Sequence, residues 1–162
     1  MSLNILIIGP RNSGKTDLLK DEFIKEYIPT LIYDDISVKF GTNIGIAKFN
    51  LIESCNYKLD YNNIHGVIIL YDSSDTINIK FIKKCIKKYK DKPLIICSNK
   101  NDKKCKKVYF NDNNYEHVIL SVKSMYNYYV PFIHFIKYYT KNNDVEHKFL
   151  EEKVDNIIFN IE

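Results

Sequence analysis

The chain has no tryptophan, and its only arginine is Arg11. Lys, Asn, Ile and Tyr abound instead, a bias toward A/T-rich codons that carries no chemistry. Long hydrophobic runs are missing too. The longest, such as Val67–Tyr71 and Leu94–Cys97, are far too short to cross a bilayer. No positively charged start leads into an apolar stretch and a small-residue cleavage site, so no signal peptide is expected. Cysteine is sparse. Cys55, Cys85, Cys97 and Cys105 show no Cys-x-x-Cys spacing, and no His is placed to complete a zinc site. Reduced thiols in an intracellular protein are the expectation. No Cys lies near the last residue, so no prenyl anchor is expected. A basic stripe interleaved with aromatics is also lacking. The net charge of +4 is dispersed, which argues against a nucleic-acid binder. The run Lys83-Lys84…Lys87-Lys88 reads as the solvated face of a helix, and Asp102–Lys107 as a solvated loop or a docking patch.

What is present is one domain, residues 1–162, with 45% apolar residues and room for a real core. Leu3–Ile8 reads as a buried strand that ends at Gly9, and a helix follows from about Lys15 to Glu22. Asp35–Phe40 and Ile44–Glu53 read as a hairpin turning at Gly41-Thr42-Asn43. Val67–Tyr71 and Leu94–Cys97 are continuous apolar runs, as in strands covered on both faces. Between them Ile79, Ile82, Ile86 and Tyr89 recur at helical spacing over Thr76–Lys90, with Ser74 or Asp75 as N-cap. Val118–Leu120 is a last strand. Pro131 opens a helix whose Phe132, Phe135, Ile136 and Tyr139 face the core. The alternation predicts a three-layer α/β domain with a mostly parallel sheet and one antiparallel hairpin. No linker or repeat interrupts it.

Two motifs carry chemistry. Gly9-Pro-Arg11-Asn12-Ser13-Gly14-Lys15-Thr16 fits the phosphate-loop pattern, between a strand and a helix. Such a loop wraps phosphate oxygens with backbone N–H groups, Lys15 neutralises the β- and γ-phosphates, and the Thr16 hydroxyl is a Mg²⁺ ligand. Asn99-Lys100-Asn101-Asp102 follows a buried strand. A carboxylate there accepts hydrogens from guanine N1–H and the 2-amino group, which adenine cannot supply; a polar turn at a strand end is the plainer alternative. The two motifs in this order point to a guanine-nucleotide site.

Over nearly its whole length the sequence resembles the Ras-like small GTPases, and within them the Ran branch. Phe40-x-Thr42-Asn43-x-Gly45-x-x-Lys48-Phe49-Asn50 is similar to Ran's second and third strands, and Tyr27-Ile-Pro-Thr30 to the first switch. Ser121-Val122-Lys123-Ser124-x-Tyr126-Asn127, with Pro131-Phe132, is similar to its final strand and helix. The resemblance implies a P-loop NTPase fold binding GTP or GDP with Mg²⁺. Thr30 would then join Thr16 at Mg²⁺ and meet the γ-phosphate. Phe23 would stack on the guanine edge, and Lys100 and Lys123 would flank the base. Backbone N–H groups around Ser121 and Val122 would meet its carbonyl oxygen. Exchange factors, transport receptors or other Ran-type effectors would be the partners of a monomer that is cytoplasmic or nuclear.

The pattern breaks in three places. Glu53-Ser54-Cys55-Asn56-Tyr57 stands where the family carries Asp-Thr-Ala-Gly-Gln. Glu53 would hold Mg²⁺ through water only if its extra methylene is accommodated. Asn56 replaces a glycine that senses the γ-phosphate, and Tyr57 replaces the water-positioning Gln, whose amide both accepts and donates. Arg11 stands where the family keeps glycine, either as a finger in cis or pointing to solvent. The backbone N–H of Asp17 would face the α-phosphate, where its carboxylate is unfavourable unless it turns outward, although it suits the helix start. The interval from Glu53 to Asp72 is several residues short of the family's second switch, so its helix is expected to be lost or cut. The chain also stops soon after Phe149 without Ran's acidic tail, and Tyr109–His117 lacks the basic patch that the tail contacts. Two functions are compatible with this: a GTPase that hydrolyses slowly if at all, or a pseudo-GTPase interaction module that occupies partners of a Ran-like protein.

Overall fold

The computed structural model describes residues 1–20, 35–58, 60–74, 79–104, 109–110 and 112–148. It is an α/β domain built on a mostly parallel, six-stranded mixed sheet. In chain order the elements are β1 (Ser2–Ile8), α1 (Lys15–Lys20), β2 (Asp35–Thr42), β3 (Gly45–Ser54), β4 (Gly66–Asp72), α2 (Ile79–Tyr89), β5 (Leu94–Asn99), β6 (Glu116–Ile119) and α3 (Val130–Thr140). The strands lie in the order β2-β3-β1-β4-β5-β6. Only β2 and β3 pair antiparallel; the remaining neighbours are parallel.

Parallel strands must be covered on both faces, and the alternation along β1 shows how. Ile5 and Ile7 enter a cluster with Leu18 and Leu19 of α1 and Phe132, Phe135 and Ile136 of α3. Leu6 and Ile8 enter another with Ile82, Cys85 and Ile86 of α2. Helices therefore pack on opposite faces, and the chain leaves β1 toward one face and β4 toward the other. In open α/β sheets such a divergence between neighbouring strands leaves a crevice at their carboxyl ends.

Several expectations shift in detail. The hairpin turns at Asn43-Ile44, not at Gly41-Thr42-Asn43. Gly41 and Thr42 stay in register opposite Ile46 and Gly45. The Thr42 hydroxyl donates to Gly45 O at 2.7 Å and accepts from Ile44 N–H at 3.3 Å, and Gly45 takes the positive φ of 125°. Ile79 and Tyr139 are exposed rather than core-facing. Cys85 and Ile133 hold buried places instead, and the Tyr139 hydroxyl donates to His65 O at 2.6 Å. The Ser74 hydroxyl and N–H both bind Asp72 Oδ1. Asp75 lies outside the described residues. Between Ser54 and Gly66 the described residues form turns and no helix. No described helix is long and apolar enough to cross a membrane.

The segment after α3 closes over the hairpin end. Asn43 N–H donates to Glu146 O at 3.1 Å, and its side-chain oxygen accepts from Glu146 N–H at 3.0 Å. His147 bridges to Thr42 and lies between the Phe40 and Tyr129 rings, with centroids at 4.7 and 4.9 Å.

Gly66 starts β4 directly beneath Phe135. A Cβ there would fall 2.4 Å from the ring, which is fully buried. Gly66→Ala should therefore destabilise the fold by about 1–3 kcal/mol through overpacking, measured by denaturant unfolding. An unchanged midpoint would show that α3 can move away freely.

Candidate functional site

The loop from Gly9 to Thr16 leaves β1 at the crevice. Gly9 has no space for a side chain, since a Cβ would lie 2.0 Å from Leu70 O on the neighbouring strand. Asn12 and Gly14 adopt positive φ, 62° and 92°, so the loop curls back on itself. Lys15 is buried within that curl. Its ammonium donates to Gly9 O at 3.1 Å, to Pro10 O at 2.8 Å and to Ser13 Oγ at 3.5 Å. Burial pushes its pKa below the ordinary 10.5, against the opposing pull of Glu53 and Cys55. An arriving anion would meet a cation whose charge is under-compensated by water. The Thr16 hydroxyl is shared between both oxygens of Glu53, at 2.9 and 3.0 Å, so the longer carboxylate does reach this position.

Asn99 connects this loop to the other side of the crevice. Its buried amide donates through Nδ2 to Ser13 O at 2.9 Å and accepts at Oδ1 from Val122 N–H at 3.1 Å. The Val122 N–H is thereby engaged by the Asn99 side chain. Lys100 follows in a left-handed backbone conformation, φ 63°, a strain of about 1–3 kcal/mol for a side-chain-bearing residue. Its ammonium donates to Asn12 O at 2.5 Å and pairs with Asp72 at 2.7 Å. Asp102 accepts from the Ser121 hydroxyl at 2.6 Å, and Ser121 is fixed by paired backbone bonds with Tyr126.

Beside the loop that follows Asn99 lies a cavity of about 520 Å³, lined by Asp17, Asn99, Lys100, Asp102, Lys103, Val122 and Lys123. That volume is in the range of small-molecule sites. Asp17 is exposed but lines this cavity, so it does not simply turn away from the site. Arg11 is exposed on the loop. Phe23 and Thr30, with Tyr27, lie outside the described residues, as does Cys105.

Tyr57 is not brought to the loop. Its ring packs edge-on against Phe81 of α2 at 5.5 Å, and its hydroxyl accepts from Lys84 at 3.0 Å. Asn56 is exposed, and its side-chain oxygen accepts from Lys58 N–H at 3.0 Å.

Sequence reasoning missed the exit of β4. Ser73 donates to Asn99 O from both N–H and hydroxyl, at 3.1 and 2.8 Å, and Asp72 holds Lys100. The signal was available: Asp72-Ser73-Ser74 ends a buried apolar run next to the one that ends at Asn99. No protein-family model matches the chain.

Asn99→Ala would orphan the buried Val122 N–H and Ser13 carbonyl together. A loss of about 2–3 kcal/mol in unfolding free energy is expected without any ligand, from urea titration. A loss near zero would show that water replaces the amide.

Proposed function

We propose that this chain is a guanine-nucleotide-binding protein of the Ras-like small-GTPase type, nearest the Ran branch, that binds GTP and GDP with Mg²⁺ and hydrolyses GTP slowly if at all. The observation that carries this reading is the Asn99 bridge. It ties the loop bearing the buried Lys15 to Val122, and Asn99 and Val122 line a cavity of about 520 Å³ together with Asp102. Lys15 supplies positive charge for phosphates. Asp102, oriented by Ser121, presents its carboxylate at the cavity wall, where guanine offers two adjacent donors and adenine offers none.

The residues present fit a hard cation. Thr16 and Glu53 bring a hydroxyl and a carboxylate together, the oxygen donors that Mg²⁺ takes alongside phosphates and water. Among the described residues no cluster of three His, Cys, Asp or Glu side chains exists that could hold a metal without phosphates. Bound Mg²⁺ would neutralise phosphate charge, and Thr16 and Glu53 would hold it. Lys15 binds and orients the phosphates, and Asn99 keeps the loop in shape.

The second reading, a pseudo-GTPase module that occupies Ran-type partners without catalysis, draws support from Tyr57. Its ring is docked on Phe81 and its hydroxyl is held by Lys84, and a phenol does not supply the paired donor and acceptor of an amide at this position. Both readings share nucleotide binding and part at the chemical step.

Two outcomes are expected. Lys15→Ala should weaken GDP binding at least about a hundredfold, while the wild type prefers GDP over ADP in competition. Equal affinity in the variant would make the loop a relic. GTP turnover should stay slow even when an activating protein for Ran is added, and robust stimulation would contradict the impaired-catalysis reading.

A further inference from the structure

The exit of β4 holds the lysine that spans both loops, although neither motif includes it. Asp72 Oδ1 accepts from Ser74 N–H at 2.8 Å and from the Ser74 hydroxyl at 2.6 Å. These two bonds fix the carboxylate plane. Oδ2 then faces Lys100 at 2.7 Å, with Lys103 farther off at 3.7 Å. The same Lys100 ammonium reaches Asn12 O in the phosphate loop. One residue earlier, Ser73 grips Asn99 O twice. The three residues 72–74 thus hold two consecutive residues of the base loop by side chains and backbone.

We propose that Asp72 is a positioning residue for the nucleotide site: its carboxylate fixes the Lys100 ammonium against the phosphate loop and so sets the spacing between the two loops before a guanine nucleotide arrives. This rests on the nucleotide-binding reading above. A lysine is a compact charge on a flexible stem, and its side chain samples many rotamers unless something opposes that freedom. Asp72 opposes it at a partly sheltered place, with the two side chains 24% and 15% exposed. The left-handed backbone at Lys100 aims the stem toward Asn12 rather than out of the crevice. Binding that starts from an ordered lysine loses less entropy, which is the physical content of preorganisation. The charge balance agrees with this role. Burial alone would raise the Asp72 carboxyl, but the bonds from Lys100 and Ser74 outweigh it and hold the group below its ordinary value.

The test is a double-mutant cycle on the full chain, with GDP affinity measured by calorimetry for wild type, Asp72→Asn, Lys100→Met and the double variant. Asp72→Asn should weaken GDP binding about tenfold and leave the preference for GDP over ADP unchanged, because Asp102 is intact. In the Lys100→Met background the same substitution should have no further effect. A melting curve of each ligand-free variant separates loss of fold from loss of positioning. Asp72→Asn binding like wild type, or losing the same factor without Lys100, would overturn the proposal while leaving the nucleotide reading in place. A wild-type chain that binds no guanine nucleotide would overturn both.

Discussion

The Asn99 side chain is the contact on which the rest of the site depends, because it must donate and accept at once. Its Nδ2 meets the Ser13 carbonyl and its Oδ1 meets the Val122 N–H, both in the buried interior. A carboxylate could not donate to Ser13, and an aliphatic side chain could do neither. The same amide dictates a glycine nearby. A Cβ on Gly14 would sit 2.2 Å from Asn99 Nδ2, at a φ of 92° that side-chain-bearing residues rarely adopt. Gly14 is thus required by the protein's own bridge before any phosphate is considered.

The sheet supplies the stage for that bridge. β1, β4 and β5 are parallel and adjacent, so their exits deliver Gly9, Asp72 and Asn99 to one edge of the domain. The strands behind them are packed on both faces by two separate clusters, which keeps those exits in fixed register. In the loops beyond, Asn12, Gly14 and Lys100 take positive φ. Such conformations persist where surroundings over-determine them, and here the Lys15, Asn99 and Asp72 contacts do so.

The regular elements were legible because burial has a period. The apolar runs of β1, β4 and β5 and the Ile82, Ile86 and Tyr89 spacing of α2 follow from covering a parallel sheet, whereas Cys85 on the same face was not singled out. The two segments Gly9–Thr16 and Asn99–Asp102 stood out in the sequence because glycine, lysine and amide at those spacings have few other uses, and the structure joins them through Asn99. What was hidden depends on contacts between distant segments. Tyr57 stands in sequence where the resembled family has its water-positioning Gln, but its docking on Phe81 and Lys84 comes from how α2 lies over the turn. Asp72 and the clasp of Asn43 on Glu146 pair residues far apart in sequence, and no local pattern encodes their meeting. Tyr139 fits a helical stripe yet sits at its exposed margin, because α3 ends over the loop carrying His65.

The central claim, that the crevice at the strand exits holds a guanine nucleotide, is tested most directly by asking what the purified protein carries. The freshly prepared chain is denatured and the released small molecules are separated by ion-exchange chromatography. GDP or GTP released near one per chain is the expected result, with GTP marking a form that does not complete hydrolysis. A protein that releases no nucleotide, and takes up none when guanine nucleotide and Mg²⁺ are added, would contradict the account and leave the fold as an interaction module alone.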